Sequence, residues 1–220
     1  MCGRFTLFAE PNEIISRFNV SNGIADYKKR YNIAPSQTVL VVINDGNENR
    51  AVYFRWGLIP HWAKETKIGY KMINARAETL NEKPTFKHPF RRQRCIIPAD
   101  GFYEWKNTPT GKQPYRITLK TSEIFGFAGL WDRWEKDGQE IHSCTIITTE
   151  PNELMSQIHN RMPVILNRDD EQIWLNNKLD DTDFLRTLLK PYNAQEMEAY
   201  PVSTLVNSPK NNDPSLIEQV

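Results

Sequence analysis

The alternation of hydrophobic and polar positions predicts a chain built mainly of strands. Residues 38–43 (TVLVVI) and 51–55 (AVYFR) flank the turn sequence Asn-Asp-Gly at 44–46, a pattern typical of a β-hairpin. Further strand candidates are rich in Ile, Thr, Tyr and Phe, and they lie at residues 95–98, 114–120, 124–130 and 143–148.

Helical patterns are fewer. Residues 11–18 start with a proline and place three apolar side chains on one helix face. A second helix is predicted to open at Pro151, and two more at 169–176 and 182–189, each preceded by an Asp able to cap it. Strands with interspersed helices predict an α+β fold, with residues 1–220 forming one domain around a mainly antiparallel sheet or barrel-like core with peripheral helices.

Composition and charge limit the classes of protein to which the chain can belong. The chain has 220 residues, of which 39% are hydrophobic and 25% charged, as in an ordinary globular protein. Its formal net charge is +1, so any nucleic-acid binding must come from a local patch. The sequence has neither a run of about 18 apolar residues, as a membrane span needs, nor the apolar run of a signal peptide. We therefore expect a cytoplasmic protein, and a monomer by default.

The metal-binding residue types are scattered. The three cysteines, Cys2, Cys95 and Cys144, lie far apart without the CxxC spacing of a zinc motif. Cys95 and Cys144 lie in apolar strand candidates, and we interpret them as inert core thiols. The histidines also lack ligand spacing, so neither a metal nor an organic cofactor is indicated.

Cys2 is the most informative residue. It becomes the amino terminus once Met1 is removed, and it then presents an amine beside a thiol. With an aldehyde, the amine can condense to a Schiff base and the thiolate can close a thiazolidine ring. Reference pKa values of about 7.7–8.0 for the amine and about 8.5 for the thiol leave both partly available near neutral pH. The plainer alternative is a small residue tolerated at a frayed terminus.

Other polar segments could supply the remaining chemistry. They combine ionisable groups with turn residues and aromatics, at residues 74–78, 98–105, 148–152 and 158–163. Within them, Asn74, Glu104 and His159 offer an orienting amide, a proton acid or base, and a group titrating near neutrality. Each has an alternative: Glu104 as a surface strand residue, Asn74 as the cap of a helix over 75–82, and His159 as a satisfied loop histidine.

A set of motifs in this order resembles the SOS-response-associated peptidase (SRAP) family of abasic-site sensors. The motifs are Met1-Cys2-Gly3-Arg4-Phe5, Tyr31-Asn32-Ile33-Ala34-Pro35, Trp56-Gly57 with Pro60 and Trp62, residues 73–79 (INARAET), residues 94–105 (RCIIPADGFYEW), residues 158–163 (IHNRMP), and Val202-Ser203 with Asn207. Together they run through nearly the whole chain.

The resemblance implies roles for four residues. Cys2 would be the nucleophile that forms a thiazolidine with the ring-opened sugar of an abasic site, and Asn74 would orient Cys2 or the sugar. Glu104 and His159 would move protons during Schiff-base formation and ring closure. The resemblance also implies removal of Met1 by self-cleavage, a peptidase activity, although a general aminopeptidase would serve equally because Cys is small.

Five residues are predicted DNA contacts. Arg4, Arg76 and Arg161 lie near the candidate active residues in sequence, where they could neutralise phosphates. Trp62 and Trp105 could stack on bases, and we expect Trp62 to be partly exposed because His61 and Lys64 flank it. The alternative for any Trp is a place in the core. Single-stranded DNA is the natural partner, because an abasic nucleotide there costs no unpairing. On DNA, the protein would be associated with the nucleoid.

Two other classes of function stay open. A thiol peptidase acting on other proteins would use Cys2, His159 and Asn74 as nucleophile, base and orienter, and it would turn over many equivalents of substrate. A non-covalent single-strand binder would bind intact and damaged DNA alike, with Cys2 incidental. A lyase variant of the leading hypothesis would nick DNA by β-elimination from the Schiff base.

Overall fold

Strands dominate the computed structural model, which describes residues 2–220. In chain order they are β1 (Phe5–Leu7), β2 (Arg30–Ile33), β3 (Thr38–Asn44), β4 (Asn49–Trp56), β5 (Asn74–Arg76), β6 (Arg94–Ala99), β7 (Gly101–Thr108), β8 (Gly111–Leu119), β9 (Phe125–Lys136), β10 (Gln139–Thr149), β11 (Met162–Pro163) and β12 (Met197–Pro201). The helices are short: α1 (Pro11–Arg17), α2 (Pro84–Arg92), α3 (Glu153–Ser156), α4 (Arg168–Leu175) and α5 (Thr182–Thr187).

The strands form two sheets. One has the order β12-β8-β7-β1-β2 and is antiparallel at every pairing. The other has the order β11-β10-β4-β3-β6-β9, and β9 also pairs with β10, so five of its strands close into a ring. Within this sheet β10 runs parallel to β4 and β5, while the other pairings are antiparallel. The predicted α+β fold with a mainly antiparallel, barrel-like core is confirmed.

Most local predictions are confirmed, with longer strands than the pattern indicated. The predicted hairpin is β3 and β4, and its turn contains Gly46 at φ 105°, a backbone region that favours glycine. The helix from Pro11 is present, and the Asp181 carboxylate caps α5 by accepting from the amides of Asp183 and Phe184. Cys95 and Cys144 are fully buried, as core thiols should be.

Three local predictions are wrong. The helix expected to open at Pro151 begins at Glu153, because Asn152 accepts the hydrogen bond that caps it. No aspartate caps α4, whose N-cap is Asn167 without a side-chain hydrogen bond. The alternative of a helix over 75–82 also fails, since Asn74 begins the strand β5 and only a short 3₁₀ turn follows it.

Close packing connects the two sheets and fixes the loop before β5. Phe5 of β1 lies edge-on to Trp56 at 5.2 Å and to Phe127 at 5.8 Å between ring centroids. The Trp56 indole donates to the Ile73 carbonyl at 2.9 Å, which holds the residue before β5 against β4. Within the described residues 2–220, no helix is long and apolar enough to cross a membrane.

Candidate active site

Cys2 lies in the core, directly before β1. Its side chain is 0% exposed, and the Arg4 amide donates a hydrogen bond to its sulfur. The Arg4 carbonyl accepts from the Tyr103 amide at 2.9 Å, which continues the pairing of β1 with β7 towards the amino terminus. This pairing brings Cys2 close to Glu104. Burial raises the pKa of the Cys2 thiol well above its usual range, and the negative charge of Glu104 raises it further.

Glu104 is a buried carboxyl group on β7, with a side chain only 3% exposed. Burial raises the pKa of Glu104 above its ordinary value, while the nearby His159 acts in the opposite direction. A carboxyl group with a raised pKa can hold a proton nearer to neutral pH and deliver it to a substrate. The alternative of a surface strand residue is therefore wrong for Glu104.

His159 faces this carboxyl from the loop between α3 and β11. The His159 amide donates to the Met155 carbonyl at 2.8 Å, so the residue continues the turn that ends α3. Its Nε2 lies 4.0 Å from Glu104 Oε2, and its side chain is 26% exposed. The structure therefore brings Cys2, Glu104 and His159 together: a buried thiol, a buried acid and a partly exposed imidazole.

A cavity of about 480 Å³ opens onto Glu104 and His159. Its lining residues are Glu104, Trp105, Lys112, His159 and Asn207. A larger groove of about 1050 Å³ lies along α1 and β8, but none of the nine predicted site residues is among its described lining residues. We take the smaller cavity as the candidate active site, because it holds the acid and the imidazole. No set of three or more His, Cys, Asp or Glu side chains within residues 2–220 is grouped as metal ligands.

Asn74 lies at the start of β5, paired with Ile146 of β10. Both polar atoms of its side-chain amide are buried, and neither makes a hydrogen bond to another residue in the described part of the chain. A buried amide without partners is costly, so its retention is typical of a group that serves a ligand. That the Asn74 amide orients Cys2 or a sugar stays a prediction.

The residues predicted to contact DNA differ in whether their side chains are already bound to other parts of the protein. Trp62 is 52% exposed, as expected, and Arg76 is exposed without a side-chain hydrogen bond or ion pair among residues 2–220. The Arg4 guanidinium instead donates to Asn32 Oδ1 at 2.7 Å, and the Trp105 indole donates to Asn207 Oδ1 at 2.7 Å.

Arg161 is also held by protein partners. Its guanidinium makes two hydrogen bonds to the Glu78 carboxylate, of 2.6 and 3.0 Å. A phosphate that binds Arg4 or Arg161 must therefore replace or join an existing contact.

Sequence reasoning missed two residues beside the site. Lys112 lines the cavity from β8, but the segment around it carries no motif that would indicate a role. Glu78 lies within the polar segment 74–78, whose pattern indicates no function for this carboxylate. Its spacing from Arg161 in the chain gives no indication of their contact.

Comparison with known proteins gives the family of the chain. The family model described as SOS response associated peptidase (SRAP) matches residues 1–209. The chain belongs to the SRAP family. Among SRAP relatives, the abasic site processing protein YoqW of Bacillus subtilis (strain 168) is 60% identical over 99% of both chains. The abasic site processing protein HMCES of Gallus gallus is 33% identical over 87% of this chain and 66% of its own. An X-ray structure of a Bacteroides thetaiotaomicron protein superimposes with a TM-score of 0.89, at 33% identity and full coverage of both chains.

Proposed function

We propose that this SRAP protein processes abasic sites in single-stranded DNA by forming a covalent thiazolidine between Cys2 and the ring-opened sugar. The observation that carries the proposal is the grouping of Cys2 with Glu104 and His159 beside a cavity. The names of the relatives YoqW and HMCES, both abasic site processing proteins, supply the substrate. The family description supports the same choice.

The proposed reaction divides proton transfer between the two titratable groups. The α-amine of Cys2 attacks the C1′ aldehyde carbon, and the resulting carbinolamine loses its hydroxyl as water with a proton supplied by Glu104. Loss of water leaves a protonated imine. The Cys2 sulfur then attacks the imine carbon and forms the C–S bond. His159 takes the thiol proton as the sulfur attacks, and the nitrogen keeps its hydrogen as the ring N–H. The adduct thus contains both reactants less one water.

The buried thiol fits this order of events. Because burial raises the pKa of Cys2, the sulfur keeps its proton until a base removes it during ring closure. The aldehyde must be trapped as an imine first, since the thiol attacks only once the imine carbon is beside it. The proposal therefore assigns Glu104 to the first half of the reaction and His159 to the second.

Removal of Met1 must precede the reaction, because the α-amine of Cys2 is otherwise part of a peptide bond. Met1 lies outside the described residues. We include self-cleavage in the proposal: the Cys2 sulfur attacks the Met1 carbonyl, the Cys2 amine leaves with a proton carried by Glu104 or His159, and water hydrolyses the resulting thioester to release methionine. Protein that crosslinks normally with Met1 still attached would contradict the thiazolidine mechanism.

Recognition of the DNA rests on the exposed residues. Trp62 offers an exposed face for stacking, and Arg76 offers an exposed cation for phosphate. The remaining proposed contacts are Arg4, Trp105 and Arg161, whose present hydrogen bonds within the protein the DNA must replace or join. We further propose that the chain acts as one domain, as a cytoplasmic monomer.

The decisive experiment is a denaturing gel with intact mass spectrometry. Mature protein is mixed with a single-stranded oligonucleotide carrying one abasic site, beside Cys2→Ala and an undamaged oligonucleotide. We expect a shifted band whose mass equals protein plus DNA less one water, absent from both controls. If no adduct forms although Met1 is confirmed absent, the proposal fails. Repeated cleavage of casein would then favour the thiol peptidase.

A further inference from the structure

The Arg161 side chain is held by hydrogen bonds to other residues of the protein. Besides its two hydrogen bonds to Glu78, its guanidinium donates to the Thr148 carbonyl at 2.7 Å. The side chain is only 16% exposed, while that of Glu78 is 50% exposed. A bidentate Arg–carboxylate pair is the geometry that constrains a guanidinium most strongly. The pair therefore fixes the backbone of residue 161 to a neighbouring segment.

That same backbone holds the His159 ring. The Arg161 amide donates to His159 Nδ1 at 3.1 Å, and the Arg161 carbonyl lies 3.2 Å from the same nitrogen. Nδ1 is thus held by both backbone groups of one residue: it accepts from the amide when it is unprotonated, and it donates to the carbonyl when it carries a proton. Nε2 is the nitrogen that faces Glu104 at 4.0 Å. When the ring is protonated twice, the Nδ1 proton has the Arg161 carbonyl as its acceptor.

The pair also connects two parts of the candidate site. Glu78 lies in the 3₁₀ turn directly after β5, the strand that begins with Asn74. Arg161 directly precedes β11, and both β5 and β11 pair with the end of β10 at Thr148. The ion pair thus ties together the segments that carry Asn74 and His159.

We propose that Glu78 and Arg161 are a positioning pair for His159, which fixes the direction of its ring and so keeps Nε2 facing Glu104. This inference rests on the proposed function, because His159 matters to the reaction only if the site forms the thiazolidine. Neither residue of the pair takes part in the chemistry. Glu78 supplies the carboxylate that holds the guanidinium, and the Arg161 backbone holds the ring.

The alternative is that the pair serves only the phosphate contact proposed for Arg161, in which case Glu78 merely occupies the guanidinium until DNA arrives. The two roles predict opposite effects of removing the Glu78 charge. If Arg161 only binds a DNA phosphate, Glu78→Gln makes its guanidinium more available. DNA binding then tightens, and adduct formation is at least as fast. If the pair positions His159, Glu78→Gln slows adduct formation even when DNA saturates the protein.

The test compares Glu78→Gln with Glu123→Gln in the mature protein. Glu123 forms an exposed ion pair with Arg168 at 2.8 Å, so its variant makes the same change of charge away from the cavity. Two quantities are measured: the single-turnover rate of adduct formation at saturating abasic single-stranded oligonucleotide, and the Kd for that oligonucleotide in a Cys2→Ala background. We expect Glu78→Gln to lower the saturating rate about tenfold, short of the ~100-fold cost of a 1 Å misplacement. Its Kd should be no weaker, and Glu123→Gln should match the wild type.

Nitrogen NMR of the His159 ring gives a readout that does not depend on the reaction. We expect one sharp set of ring nitrogen signals in wild type and in Glu123→Gln, and a shifted or broadened set in Glu78→Gln, because its ring is held less firmly. Glu78→Asp should restore part of both the rate and the ring signal. An unchanged saturating rate with an unchanged ring signal in Glu78→Gln would overturn the positioning role. If wild type forms no adduct, the proposed function fails, whereas the ring signals still decide whether the pair orients His159.

Discussion

His159 Nε2 lies 4.0 Å from Glu104 Oε2, with the carboxylate buried and the imidazole partly open to the cavity. A substrate oxygen at about 2.8 Å from both atoms, an ordinary hydrogen-bond distance, would subtend nearly a right angle between them. Both groups can therefore reach one oxygen or nitrogen of the bound sugar. Their environments differ, which favours a division into a proton donor and a proton acceptor.

Glu104→Gln tests the donor role. The amide keeps the shape of the side chain but cannot supply a proton to the carbinolamine, so we expect adduct formation to slow by about 10²–10⁴. The measurement is the single-turnover rate on an abasic oligonucleotide. Glu135→Gln, a change at an exposed carboxylate of β9, should react like wild type. A rate within threefold of wild type in Glu104→Gln, about 0.65 kcal/mol in the barrier, would remove Glu104 from the reaction.

The same substitution should alter stability in a pH-dependent way. Because burial raises the pKa of folded Glu104 above its ordinary 4.5, the folded protein binds this proton more tightly than the unfolded chain does. Stability is therefore lost as pH rises through 4.5 towards the folded pKa, and Gln removes that loss. We expect Glu104→Gln to have a higher Tm than wild type at about pH 7 and an equal Tm below about pH 4. A difference that is constant with pH, measured by thermal denaturation, would contradict this assignment.

His159→Gln tests reversal of the crosslink. If His159 accepts the thiol proton during ring closure, microscopic reversibility requires it to return that proton during ring opening. We expect the preformed adduct to decay slowly in wild type and to persist severalfold longer in His159→Gln. Decay is followed on denaturing gels after long incubation to form the adduct, with an excess of hydroxylamine to trap released aldehyde. His142→Gln serves as the control, and equal lifetimes in all three proteins would exclude His159 from the reversal step.

Binding of undamaged single-stranded DNA tests the exposed contacts, in a Cys2→Ala background that prevents crosslinking. Arg76→Gln should reduce the slope of log K against log salt by about 0.7, the contribution of one phosphate in single strands. Trp62→Ala should weaken binding by about 1–3 kcal/mol with little change of slope, because stacking releases no counterions. Arg168→Gln is the charge-matched control. Reversed signatures, with Trp62→Ala altering the slope and Arg76→Gln not, would contradict the assignment.

The sequence predicted those structural elements that are determined by residues close together in the chain. The hairpin of β3 and β4 is encoded by a local turn and by alternation along both strands, so its register needed no distant information. The strand β7 escaped prediction, although its residues 101–105 belonged to a selected segment. Its contact with Cys2 depends on pairing between β1 and β7, which lie far apart in the chain. Only the family resemblance connected Cys2 with Glu104 before the structure did.

The Glu78–Arg161 contact illustrates the part that no pattern could supply. Both residues lie in conspicuous segments, yet charged residues in loops are usually solvated, and a phosphate role for Arg161 was the simpler hypothesis. The pairing arises because β5 and β11 both dock on β10. Two segments that pair with the same strand can contact each other although they are far apart in the chain. Local hydrophobic periodicity does not predict such contacts.

Arg94 provides a final prediction, about stability alone. Its buried guanidinium donates to five backbone carbonyls, those of Phe90, Arg91, Trp174, Asn176 and Leu179, and burial lowers its pKa to about 10. Lys has three donors on one nitrogen, so Arg94→Lys leaves buried carbonyls without partners and should cost about 3 kcal/mol. With about 2–4 °C lost per kcal/mol, Tm should fall by roughly 6–12 °C, while Arg91→Lys on the exposed side of α2 should change little. Equal Tm values for the two variants would show that the carbonyls do not depend on the guanidinium.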